Sequence, residues 1–181
     1  MKLNGQIVPN APVTELTVNH TDMRYTSVPE SIVTLNWNTG SPLPSPLPSE
    51  LKVLNCNYVT ELPVLPAGLE SLHCDLVKVL PYTLPKRLKE LSCKSVTLII
   101  KDLPNSIAKL WVDSVPFLDF RLPNSLELLS ARSAGALPVF TPKKLKTVFC
   151  GILQEPLDYL ADLTYGVYCR NDIKSKLDHT L

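Results

Sequence analysis

Apolar residues return along this chain in steps of 19. The first register reads Val13, Ile32, Leu51, Leu69, Leu88, Ile107, Leu126 and Leu145, and more weakly Thr164; every interval is 19 residues except one of 18. Three residues later stand Leu16, Leu35, Leu54, Leu72, Leu91, Leu110, Leu129, Val148 and Val167. Two further on come Val18, Trp37, Cys56, Cys74, Cys93, Val112, Ala131, Cys150 and Cys169. Polar residues fill most of the positions between. A fixed period near 20 is the signature of a solenoid, in which each coil buries its apolar side chains only against its neighbours.

The last two registers lie two residues apart, and side chains two apart on a strand share a face. Each copy therefore predicts a short strand with Leu and then Cys or Val turned inward and the intervening residues turned outward. Nine such strands stacked at about 4.8 Å make one parallel sheet on the order of 40 Å long. The remainder of each copy is written in Leu-Pro. The pair falls at Leu43-Pro44, Leu62-Pro63, Leu80-Pro81 and Leu137-Pro138. It falls again just before the next strand, at Leu47-Pro48, Leu65-Pro66, Leu84-Pro85, Leu103-Pro104 and Leu122-Pro123. Prolines this close exclude a helix interior, because each removes a donor and clashes with the preceding turn. The residue before each proline is driven to extended backbone. The expected return path is thus extended and polyproline II-like, with little helix. Copies five and six keep only the second proline at its usual place and leave room for a single helical turn. Residues 1–12, with Ile7 and Val8, are expected to cap the first coil. Residues 13–169 form the repeats. Residues 170–181, with Ile173 and Leu177 four apart, are expected to cap the far end as a short helix or tail. Copy two carries Pro42, Pro44, Pro46 and Pro48. This reads as a stiff outer edge or as a docking strip for a proline-binding module.

The phrase Leu-Pro-x-x-Leu-x-x-Leu, at Leu47-Pro48-Leu51-Leu54, Leu84-Pro85-Leu88-Leu91 and Leu122-Pro123-Leu126-Leu129, resembles the leucine-rich repeat. Within that family it is most similar to the short repeats of secreted bacterial effectors and the related repeats of amoebae and large DNA viruses. The resemblance covers about residues 13–169. It implies a leucine-rich-repeat solenoid, a horseshoe of about nine coils with its parallel sheet on the concave side. It also implies a protein-interaction module, as a host-directed effector or a viral or amoebal interaction protein; the alternatives are a structural, self-associating repeat unit or a substrate-recognition fragment of a larger protein such as a ubiquitin ligase. One position departs from the family. Where most such repeats carry Asn after the strand, this chain reads Val59, Val77, Val96 and Val115, which leaves that turn's geometry open.

Composition sets bounds on function. With 181 residues, 45% hydrophobic and 19% charged, the chain suffices for one domain with a substantial core. A net charge of +1 and no basic run argue against a nucleic-acid partner. No segment approaches the roughly 18 unbroken apolar residues of a membrane span, and the first twelve residues lack the apolar stretch of a secretory signal. The five cysteines are an odd count. Cys56, Cys74, Cys93, Cys150 and Cys169 all fall in one inward register, which predicts a packing ladder of reduced thiols in a cytoplasmic, reducing compartment. That compartment is the host cytosol if the protein is a secreted effector. A straight file of thiols does not surround a point, so no metal site is expected, and parallel side-chain vectors suit disulfides poorly. His73 adjoins Cys74, but neighbours on a strand face opposite ways and cannot form a nucleophile–base pair. No phosphate loop, paired metal ligands or nucleophile elbow appears, so neither enzymatic activity nor a cofactor is expected.

The outward positions carry the functional reading. One reads Glu15, Thr34, Val53, Ser71, Glu90, Lys109, Leu128, Thr147 and Gly166; the other reads Thr17, Asn36, Asn55, His73, Ser92, Trp111, Ser130, Phe149 and Tyr168. The early coils present small polar groups. The last four gather Trp111, Leu128, Phe149 and Tyr168 within about 15 Å by strand spacing. Lys109, Arg132 and Arg170 would form a polar rim. Large apolar groups on one face mark a contact, and Trp and Tyr are typical anchors. The expected partner is a protein bound through this face. A second copy of the chain, or the C-terminal tail folded back, is the alternative occupant.

Overall fold

In the computed structural model the described residues are 2–3, 6–7, 12–19, 26–96, 103–113, 121–133, 142–151 and 166–169. A short antiparallel pair, β1 (Lys2–Leu3) and β2 (Gln6–Ile7), lies in the segment expected to cap the first coil. Val8 and all of 170–181 fall outside the described residues. The rest is one parallel sheet of nine strands in chain order: β3 (Glu15–Val18), β4 (Thr34–Trp37), β5 (Val53–Asn55), β6 (Ser71–His73), β7 (Glu90–Ser92), β8 (Lys109–Trp111), β9 (Leu128–Ala131), β10 (Thr147–Cys150) and β11 (Gly166–Cys169). The register follows the period: Leu35 pairs Leu54, Leu54 pairs Leu72, Leu72 pairs Leu91, Leu91 pairs Leu110, and Leu110 pairs Leu129. This is a leucine-rich-repeat solenoid.

Among the described residues there is no helix. The helical turn expected in copies five and six falls at 97–102 and 114–120, outside them. The path between strands is described throughout for 38–52, 56–70 and 74–89. Each crossing turns twice. Leaving the strand, the Val59 N–H donates to the Cys56 carbonyl at 3.2 Å, and Val77 to Cys74 at 3.1 Å. Before the next strand, a proline carbonyl accepts from the residue three on. The pairs are Ile32–Pro29, Leu51–Pro48, Leu69–Pro66, Leu88–Pro85, Ile107–Pro104, Leu126–Pro123 and Leu145–Pro142, all at 3.0–3.2 Å. Extended backbone between the turns makes no internal hydrogen bonds, so the N–H that proline lacks is not missed there.

The core is the stack of inward files. Leu35, Leu54, Leu72, Leu91 and Leu110 are fully buried, as are Ile32, Leu51, Leu69, Leu88, Ile107 and Leu126. Trp37 joins them, its indole N–H donating to the Ser41 carbonyl at 2.9 Å. The unusual valines are a further hydrophobic file: Val59, Val77 and Val96 are all buried. A polar ladder runs two residues before the valine positions. Asn38 donates to Asn19 Oδ1 at 2.9 Å, Asn57 Oδ1 accepts from the Asp75 N–H at 3.3 Å, and Asp113 Oδ1 accepts from the Arg132 N–H at 3.2 Å. In copy two, Leu43, Pro44, Leu47 and Pro48 are buried while Pro42 and Pro46 are exposed. Half of the strip's prolines thus pack into the coil, as a stiff outer edge requires.

Candidate functional site

The sheet face divides into two halves. Over β3–β5 it is an amide ladder: Asn36 donates to Glu15 Oε1 at 3.0 Å and to Thr17 Oγ1 at 3.2 Å, and Asn55 donates to Asn36 Oδ1 at 2.6 Å. These groups satisfy one another across rungs. Over β6–β10 the same row reads His73, Ser92, Trp111, Ser130 and Phe149. The His73 and Trp111 rings lie 6.1 Å apart, tilted by 34°, although β7 runs between their strands. They meet across Ser92, which is only 3% exposed, and Ser130, between Trp111 and Phe149, is 1% exposed. Both serines point their hydroxyls sideways, Ser92 to Asp75 Oδ1 at 2.6 Å and Ser130 to Asp113 Oδ1 at 2.7 Å. Small residues on alternate rungs therefore form a floor, and the large rings stand between them.

Of the residues expected at the interface, Trp111, Leu128 and Phe149 lie on the adjacent strands β8, β9 and β10, and each is half-buried. Arg132 sets its guanidinium 5.6 Å from the Phe149 ring centroid, a cation–π contact that holds the rim cation over the aromatic. Lys109 is engaged by Glu90 at 2.7 Å. Tyr168 pairs in register with Phe149 along the backbone, and Arg170 lies outside the described residues. Among the described residues, the most exposed large apolar side chains are elsewhere. Tyr82 is 94% exposed and Val64 89%, both on the return path; Tyr58, Leu76 and Val79 are exposed as well.

Electrostatics follow the period. Glu70–Lys89, Asp75–Lys94, Glu90–Lys109 and Glu127–Lys146 are ion pairs at 2.6–3.0 Å, each joining a carboxylate to the lysine one coil later. An acid followed 19 residues on by Lys was a legible signal that the apolar registers alone did not expose. The hydrogen bond and charge of Lys89 hold the Glu70 carboxyl below the usual carboxylate range, and Lys146 does the same for Glu127. At Asp75 burial opposes ionisation, but the Ser92 hydroxyl and Lys94 outweigh it, and the carboxyl is also held low.

Cys56, Cys74 and Cys93 are free, buried thiols. Loss of hydration, with the Asp75 charge adding to it, pushes Cys56 and Cys93 up to about 12; desolvation raises Cys74 well above its ordinary value too. Such thiols are inert packing groups. The expectation of a wholly reduced ladder fails at Cys150, which is disulfide-bonded. Its strand neighbour in register is Cys169. Stacked rungs about 4.8 Å apart lie within the Cα separation that a disulfide spans, so the argument from parallel vectors does not exclude a bond. His73 sits on the sheet face and Cys74 in the core, so the two do not form a pair.

No protein-family model matches the chain, and no curated protein matches it. Solved structures do. YopM from Yersinia enterocolitica WA-314 is similar over 67% of this chain, with 28% identity and a TM-score of 0.53. The match spans only 27% of the length of that protein. A Shigella effector LRR domain is similar at 20% identity with a TM-score of 0.47, over 87% of this chain and 81% of its own. The chain thus resembles a stretch of YopM in fold, at 28% identity.

Proposed function

We propose that this protein is a non-enzymatic recognition module that binds a protein partner through its sheet face, centred on Trp111, Leu128 and Phe149, with Tyr168 continuing the row. The observation that carries this reading is the arrangement over β8–β10. Three large apolar side chains stand half-buried on consecutive rungs, above a floor of Ser92 and Ser130, with Arg132 held against Phe149. Preorganised aromatic anchors lose little conformational freedom on binding, which makes them the residues that dominate interface energy. The amide ladder over β3–β5 spends its hydrogen bonds internally and offers less to a partner. The resemblance of the repeat to those of secreted bacterial effectors supports an effector-like role for the module; any activity of a longer polypeptide would reside elsewhere.

The test compares wild type with the triple substitution Trp111→Ala, Phe149→Ala and Tyr168→Ala in affinity capture, with light scattering on both. Loss of a captured partner in the variant is expected. Unchanged recovery refutes the assignment. Concentration-dependent assembly of the wild type, absent from the variant, would instead assign the face to a second copy of the chain.

A further inference from the structure

The turns that open each strand stack as regularly as the strands do, and their two central residues project from one edge of the solenoid. Around β7–β10 these pairs are Lys86-Arg87, Asn105-Ser106, Asn124-Ser125 and Lys143-Lys144. The hydrogen bonds that close the four turns, onto Pro85, Pro104, Pro123 and Pro142, hold them in register. Ser106 and Ser125 turn back to cap the Leu88 and Ile107 carbonyls at 2.6 Å. Lys86, Arg87, Lys143 and Lys144 are exposed, and among the described residues none of them makes an ion pair. The carboxylates that feel Arg87 and Lys144 are Glu70 and Glu127, each bonded directly to the strand lysine of its own ladder, Lys89 or Lys146. Two basic pairs therefore stand three rungs apart, about 14 Å. Between them opens a recess of about 240 Å³ lined by Leu103, Asn105, Arg121, Leu122, Pro123 and Asn124. It is smaller than the roughly 300–1,000 Å³ of a small-molecule pocket. It suits a single polar side chain, because amide and guanidinium groups supply most of its surface and the leucines show only their edges.

We propose that this edge is a second binding surface, separate from the sheet face, for an extended acidic peptide segment of a protein partner. Extended chain advances about 3.4 Å per residue, so two carboxylates about four residues apart reach both basic pairs. The residue between them seats in the recess beside Arg121. A nucleic-acid strand fits less well, because the edge carries no aromatic platform among its described residues on which bases could stack. A lipid surface has no use for a narrow recess lined mostly by amide and guanidinium groups. The linear sequence hides the patch, since its two halves lie three copies apart.

The probe is a fluorescein-labelled octaglutamate peptide, read by fluorescence anisotropy at low salt. Octaglutamine, phosphatidylserine vesicles and single-stranded DNA serve as comparison arms. Saturable binding to octaglutamate is expected, weakening with salt as a screened charge interaction must. Reversing either pair, Lys86→Glu with Arg87→Glu or Lys143→Glu with Lys144→Glu, should raise Kd at least about tenfold, and Arg121→Gln about threefold. The exposed Tyr82→Ala variant should bind as wild type. Absence of saturable binding overturns the proposal. So does a Kd within about twofold of wild type in both reversals, or tighter binding to vesicles or DNA than to octaglutamate. Unaltered circular dichroism in the variants establishes that the stack is intact. The edge substitutions leave every sheet-face residue in place, so the two binding readings fail independently.

Discussion

Leu91→Asp probes the stack at its centre. Leu91 has no solvent exposure and pairs in register with Leu72 below and Leu110 above, both equally buried. Within its own coil it lies between the buried Leu88 and Cys93. Truncating a leucine in such a site costs about 2–5 kcal/mol in lost transfer energy and residual cavity. Aspartate adds a buried carboxyl with no donor among the hydrocarbon neighbours, about 1–3 kcal/mol more. In a chain of this length each kcal/mol moves Tm by about 2–4 °C. The expected fall is more than about 10 °C, followed by far-UV circular dichroism on heating, with Leu91→Ala falling by a smaller amount. Val64→Asp, at a position 89% exposed, is the control and should shift Tm by less than about 2 °C. A shift below about 2 °C for Leu91→Asp would refute the assignment of the inward files as the core.

Two further outcomes follow from the charges and thiols. Asp75 has its folded-state value held below its ordinary 3.8, so the stability it contributes is present above that value and is lost as pH falls through the lower folded one. Thermal stability should therefore drop below about pH 4, and Asp75→Asn should be less stable near neutrality with a shallower acid slope; equal acid slopes would contradict the Ser92–Lys94 cradle. Cys56 and Cys93, pushed up to about 12 by burial, should resist iodoacetamide in the native protein at pH 8 and react on unfolding in urea, with Cys74 alongside them. Peptide mapping that finds native and unfolded rates within about tenfold would show these thiols to be accessible.

The coil was legible because a solenoid is nearly one-dimensional. Each inward leucine needs only its counterpart one coil away, so the period that places Leu54, Leu72 and Leu91 in print also places them in space. The same logic made the paired acids and lysines readable, although the apolar registers drew attention first. The candidate site was legible by position but not by state. Alternation put Trp111, Leu128 and Phe149 on the outward face, while their half-burial, the His73–Trp111 contact and the covered serines depend on ring orientations that no spacing specifies. The ladder through Asn57, Asp75 and Asp113 was missed because spacing says nothing of side-chain bonding, and only the turn geometry shows which backbone and hydroxyl groups they satisfy.

By itself the residue order determined the period, the inward files and the proline-bound return path, all of which depend on local backbone limits and contacts between adjacent copies. Only the tertiary structure decided which side chains share a surface. Lys86-Arg87 and Lys143-Lys144 form one basic edge, and the recess at Arg121 opens between them, because stacking turns whole periods of sequence into rungs about 4.8 Å apart. The disulfide at Cys150 belongs to the same class. The register of Cys150 was visible in the sequence, but whether its sulfur bonds is decided by the tertiary arrangement.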